Sequence, residues 1–119
     1  MTRNRASAKA AGTRMESLVA AYLAKHLDDR IERRRLTGSR DRGDIAGVRS
    51  VAGRIVVEVK DYGGRIMAGP WVDEAAVEAG NDDAAVGVVV AKRRGHTDPA
   101  DQFVLMTLRD LVLILGGDA

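Results

Sequence analysis

The chain of 119 residues carries 19 Lys and Arg against 17 Asp and Glu, for a net charge of +2, and has no cysteine. This suits one domain with a single core and excludes a disulfide framework or a thiolate zinc site. No run of ~20 apolar residues occurs and no signal-type apolar segment follows the basic N-terminus, so a soluble, cytoplasmic protein without membrane contact is expected.

Residues 1–11 are small and basic without a repeating apolar face, and read as a mobile arm or a fraying helix extension ahead of a single domain over 12–119. From Met15 the pattern is helical: Met15, Leu18, Val19, Tyr22, Leu23 and His26 recur at the spacing of one face, with His26 expected to be partly buried. Thr13-Arg14-Met15-Glu16 fits a capping box, with Thr13 as N-cap and Glu16 reaching back to its amide. Glu16 also lies at the edge of the buried arc, where a carboxylate could instead reach a metal; residue mechanics alone favours the cap.

Ile31 to Leu36 reads as a first strand. The polar loop Thr37 to Gly43 then leads directly into Asp44. Asp44 to Val48 is expected to pair with the apolar run Ile55-Val56-Val57-Glu58-Val59 through a short loop, Arg49 to Gly53. Alternation sends Ile55, Val57 and Val59 to a core and puts Val56, Glu58 and Lys60 together on the other side. A loop centred on Val51 pairs Val48 with Arg54, Ala46 with Val56 and Asp44 with Glu58. Two carboxylates placed opposite each other, about 5 Å apart at Cβ, repel unless something positive lies between them. Lys60 is one candidate and a divalent cation is the other, since hard ions are held by carboxylates, waters and substrate phosphate. The bland alternative is a solvated, salt-bridged strand face.

Asp61 to Arg65 reads as a flexible connection beside these residues. Pro70 is expected at the first position of a helix with a stripe of Val72, Ala75, Ala76 and Ala79 and a stop at Gly80-Asn81. Ala85 to Ala91 is the least polar segment, a central strand covered on both faces. Gln102 to Met106 reads as an edge strand. Thr107 is placed to cap a last helix whose Leu111 to Leu115 stretch is apolar all round, which asks for two partners, the core and a second subunit. Basic residues gather at Arg3, Arg5, Lys9 and Arg14, at Arg30 and Arg33 to Arg35 with Arg40 and Arg42, and at Lys92-Arg93-Arg94. Such clusters can follow phosphates, and with 3% aromatic residues phosphate contact should outweigh base stacking.

The order of helix with an early Glu, strand, polar loop, Gly-Asp, hairpin, Glu-x-Lys, helix and strand with a basic end resembles the PD-(D/E)XK nuclease superfamily. Within it the chain resembles the small archaeal-type Holliday junction resolvases and their phage relatives. The resemblance rests on Glu16 after Gly12-Thr13, Ser39, Asp44 and Glu58-Val59-Lys60, with further likeness from Pro70-Trp71 through Lys92-Arg93-Arg94-Gly95. Gly43 stands where the family name has proline. The resemblance implies an α/β, restriction-endonuclease-like core with a mixed sheet of about five strands flanked by helices. It also implies Mg²⁺ or Mn²⁺ held by Asp44, Glu58 and the carbonyl of Val59, with Glu16 as a further metal-associated acid. Lys60 would orient or activate water and stabilise phosphate charge, and Ser39, with Thr37 as a near rival in the same loop, would contact the scissile phosphate. Arg3, Arg5, Arg14, Arg40, Arg42, Arg65, Lys92, Arg93 and Arg94 would hold DNA, and the expected working unit is a homodimer on four-way junctions in a bacterial cell or phage-infected host.

Overall fold

The computed structural model describes residues 4–34 and 41–119. Its elements in chain order are α1 (Arg5–His26), β1 (Glu32–Arg33), β2 (Ile45–Ala46), β3 (Arg49–Ser50), β4 (Gly53–Lys60), α2 (Ala68–Asn81), β5 (Val86–Ala91), a 3-10 turn (Pro99–Asp101), β6 (Phe103–Leu105) and α3 (Leu108–Ile114). The protein is α/β, with a mixed sheet of order β1-β2-β4-β5-β6 and the short β3 paired with β4. β4 and β5 run parallel and the other pairs are antiparallel. No helix among the described residues is long and apolar enough to cross a membrane.

Helix α1 starts eight residues before the expected cap. Asn4, not Thr13, is its N-cap, and the Asn4 side chain accepts a hydrogen bond from the Ser7 amide at 2.8 Å. Ala6, Ala8, Lys9, Ala10 and Ala11 are strong helix formers, so the helix extends back through the segment expected to be either a mobile arm or a helix extension. The capping-box role of Glu16 is thereby overturned, since Thr13 lies two turns inside the helix. Ala11, Met15, Val19 and Ala20 are its buried residues. Leu18 is half exposed, and His26 is exposed, with its ring 4.4 Å from that of Tyr22.

The expected register is found at Ile45, which pairs with Val57. Beyond it the hairpin shifts by one residue, because Arg49 pairs with Arg54 and Ser50 with Gly53. The slip falls between Ala46 and Arg49, where Gly47 takes a φ of +95° that suits an extra residue in one strand. The turn is therefore shorter than expected, two residues at Val51-Ala52.

Both faces of the sheet are covered. On one side Met15 and Val19 of α1 pack with Ile31, Ile45, Val57, Val59, Val88 and Val90, and Ile114 of α3 joins them. On the other, Trp71 and Ala75 of α2 pack with Val89 and Ala91. Each such large side chain contributes roughly 1.5–3 kcal/mol by leaving water, so these two layers carry the fold. Every residue of β5 is buried, as its unbroken apolar run implies. Helix α2 begins at Ala68 with Met67 as its cap, two residues before the expected start at Pro70. Its buried stripe is Trp71, Ala75, Glu78 and Ala79, while Ala76 is exposed. Thr107 caps α3 by accepting from the Asp110 amide at 3.2 Å.

Candidate metal centre

The even-numbered face of β4 does not look into solvent. It looks onto α2, and Glu58 is consequently buried at 5% exposure. Asp44 sits immediately before β2. Its amide donates to the Val57 carbonyl at 2.9 Å, and its carboxylate accepts from the Val59 amide at 2.7 Å. Gly43 makes this approach possible. It takes a φ of +90°, and a Cβ there would lie 2.6 Å from Val56 Cγ1. Proline, fixed near −65°, cannot adopt that backbone, so glycine at this position is a geometric requirement.

Lys60 is held between two acids, with Nζ 2.8 Å from Glu74 Oε2 and 3.7 Å from Glu58 Oε1. Burial acts to lower its pKa, but the Glu74 hydrogen bond and the charges of Glu58 and Glu74 outweigh this and raise it above the ordinary value. Lys60 is therefore a fixed cation. Burial and then the Glu58 charge raise the Asp44 pKa, against the Val59 amide bond that favours its ionised form. Burial, followed by the adjoining Glu78 carboxyl, pushes Glu58 up to about 9. Glu78 is pushed up to about 7, first by burial and then by the charges of Asp41, Glu74 and Asp44.

Asp41, Glu74 and Glu78 are the residues that sequence reading missed. One carboxylate oxygen from each of Asp41, Glu58, Glu74 and Glu78 lies within 4.8 Å of the others. Glu58 Oε2 and both oxygens of Glu78 are buried with no hydrogen-bond partner. An unpaired buried carboxylate is strongly unfavourable unless a proton or a cation joins it. An all-carboxylate donor set with orphaned oxygens fits a hard divalent cation.

The other expected site residues divide into four groups. Glu16 is close enough to Asp44 for its charge to act there, but its Oε2 is paired with Arg33 Nε at 2.8 Å. Arg5, Arg14, Arg42, Arg65 and Arg94 are exposed. Lys92 and Arg93 are half-buried and engaged: the Lys92 ammonium donates to the carbonyls of Arg93 and His96, and the Arg93 guanidinium lies 5.3 Å from the centre of the Phe103 ring. Arg3, Ser39 and Arg40 lie outside the described residues. A cleft of about 630 Å³ reaches Lys60, lined by Ala8 and Gly12 of α1, by Val59 to Gly63 and by Arg65, with none of the cluster's acids in its lining. A smaller pocket lined by Arg14, Asp61 and Lys92 shares Asp61 with it. Compared with protein-family models, curated proteins and solved structures, the chain matches none.

Proposed function

We propose that the chain is a metal-dependent DNA endonuclease of the PD-(D/E)XK kind that acts on branched DNA, with four-way junctions as substrate and a homodimer as working unit. The observation that carries this reading is the meeting of Asp44, Glu58 and Lys60 at the end of β4, with two carboxyls of raised pKa beside a fixed ammonium. The α/β architecture, a mixed sheet flanked by helices, is compatible with the core that the resemblance implies.

Asp44, Glu58 and the Val59 carbonyl would hold Mg²⁺ or Mn²⁺, with Glu16 as a neighbouring acid. When bound, such an ion polarises a phosphoryl oxygen and lowers the pKa of its water. The chain's own part is electrostatic and positional. The Val59 amide fixes one oxygen of Asp44, and Lys60 places a positive charge where phosphate charge develops. Arg65 lines the cleft next to Lys60, and Arg14 and Lys92 line the adjoining pocket, so phosphates entering there meet cations from α1, from the end of β4 and from the connections after β4 and β5. The dimer is supported by α3 and β6, where Leu108 is 77% exposed, Leu115 75% and Val104 53%, more apolar surface than a solitary short helix usually offers to water. A two-fold assembly suits paired cuts on a two-fold substrate.

The test is incubation of labelled four-way junction and matched linear duplex with Mg²⁺, Mn²⁺ or EDTA. Metal-dependent cleavage preferring the junction is expected. Cleavage that persists in EDTA, or no cleavage of any DNA with either metal, removes the nuclease reading. Equal cutting of both substrates leaves a nuclease without junction selectivity.

A further inference from the structure

We propose a second divalent-cation position between β4 and α2, held by Asp41, Glu58, Glu74 and Glu78, with Glu58 shared between it and the site assigned to Asp44 and Val59. It deepens the nuclease reading and rests on it only for the first ion.

The geometry comes from two elements. Glu74 and Glu78 are four residues apart on α2 and so project from one face of the helix. Glu58 meets them from β4, and Asp41 closes the set from the segment leading to β2. The Asp41 carbonyl accepts from the Asn81 side chain at 2.9 Å, which fastens that segment to the end of α2. Four oxygens within 4.8 Å of one another could surround one ion.

Proximity of acids alone would carry little, because exposed acids often gather. Here a separate observation points to a ligand: Glu78 is 2% exposed, lies on the packed stripe of α2 and has no amide, hydroxyl or cationic donor on either oxygen, only the adjoining Glu58 carboxyl, and Glu58 Oε2 likewise lacks such a donor. Buried carboxylates without donors are the exception in folded proteins and call for an ion or a proton. Lys60 does not supply the charge for Glu78, since its partners are Glu74 and Glu58.

The chemistry narrows the ion. Mg²⁺ usually keeps several waters and takes one or two carboxylates, whereas Ca²⁺ accepts carboxylate-rich, irregular shells and Mn²⁺ also favours oxygen donors. Four carboxylates therefore fit Mn²⁺ or Ca²⁺ better than Mg²⁺. Two ions sharing one carboxylate would match the paired-ion clamps of phosphoryl-transfer sites, which are typically about 3.5–4 Å apart. Glu74 would then serve both Lys60 and the ion from its present position.

The experiment is a calorimetric titration with Mn²⁺ alone, without DNA, on the wild-type chain and on Asp44→Asn, Glu74→Gln and Glu78→Gln, with circular dichroism to confirm folding. Two Mn²⁺ per chain are expected in the wild type and one in Glu74→Gln and Glu78→Gln, or a tenfold or greater weakening of one ion. Glu74 is only half-buried, so its variant keeps the test valid if Glu78→Gln fails to fold. One ion in the wild type, lost in Asp44→Asn and unchanged in both α2 variants, overturns the second position and leaves the nuclease reading standing. An ion lost in the α2 variants but retained in Asp44→Asn upholds the α2 position and refutes the site assigned to Asp44.

Discussion

Glu78→Gln in metal-free protein removes a charge while keeping the side chain's shape, so it isolates the energy of the buried carboxylate. The Glu78 pKa rises from 4.5 to about 7 in the folded state. The folded protein thus holds the proton more tightly than the unfolded chain. By linkage, the Glu78 contribution is harmless below the ordinary carboxyl range, turns against folding as pH rises from about 4.5, and reaches its full penalty above about 7. The full shift corresponds to roughly 3 kcal/mol. Water reaching the exposed Asp41 side of the cluster screens part of it, which leaves about 1.5 kcal/mol.

A domain of this length gains or loses about 0.25 kcal/mol per degree near its midpoint. In EDTA at pH 8, Glu78→Gln should therefore raise the melting temperature by about 6 °C, helped by an amide donor beside Glu58. At pH 5, where Glu78 is protonated in the wild type, the gain should shrink below about 2 °C. Added Mn²⁺ should narrow the difference at pH 8 by stabilising the wild type more than the variant. A variant destabilised by the same amount at both pH values would refute the reasoning, because it would show Glu78 held by contacts that its charge does not govern.

Asp44→Asn and Glu58→Gln should each lower cleavage by at least ~10³ with junction binding retained, as judged by gel shift and single-turnover assay. Lys60→Ala should abolish turnover, while calorimetry shows Mn²⁺ binding kept or tightened, because Glu74 loses the ammonium that competes for it. Glu16→Gln breaks a partly exposed ion pair worth under ~1 kcal/mol, so a melting curve should move by only a few degrees; cleavage left unchanged would retire Glu16 as a metal-associated acid. Affinity for a junction should fall with salt at about −0.9 in log-log slope per neutralised phosphate, and Arg14→Ala or Arg65→Ala should make that slope shallower without altering Mn²⁺ binding.

The parts of the fold legible in the sequence were those set by local periodicity. The apolar run of β5, the Thr107 cap and the Ile45 to Val57 pairing all follow from patterns within a few residues. The start of α1 was misplaced because Thr13-x-x-Glu16 imitates a cap while the alanines before it keep the helix going. The site was legible only where it lies on β4. Glu74 and Glu78 belong to it through the packing of α2 across the sheet, a long-range fact that no spacing within α2 states. One local signal was available: Trp71, Ala75 and Glu78 recur at i, i+4 and i+7, which places a carboxylate on the packed face of the helix. Asp41 was hidden for the same reason, since it reaches the cluster only after Asn81 fastens its segment to α2.

Comparison with the chain's other acids separates a structural network from a ligand site. Asp28 has Arg30, Glu16 has Arg33, and Asp82 has both Arg34 and Arg54 within ion-pair distance. Each of those acids has at least one arginine to offset it. Between β4 and α2, Asp41, Asp44, Glu58, Glu74 and Glu78 face the single ammonium of Lys60. If stability alone governed that interface, apolar side chains at positions 58 and 78 would serve it better, since uncompensated buried charge opposes folding. The residues α2 already contributes there, Trp71 and Ala75, show that an apolar packing was within reach of the same helix. An excess of carboxyls at the one place where the layers should be most apolar, each forced to hold a proton or stay uncompensated, is understandable if positive charge arrives from outside the chain. The same imbalance explains why Lys60 is tied to Glu74 without an ion: the ammonium is the sole internal cation paired with the cluster's acids among the described residues.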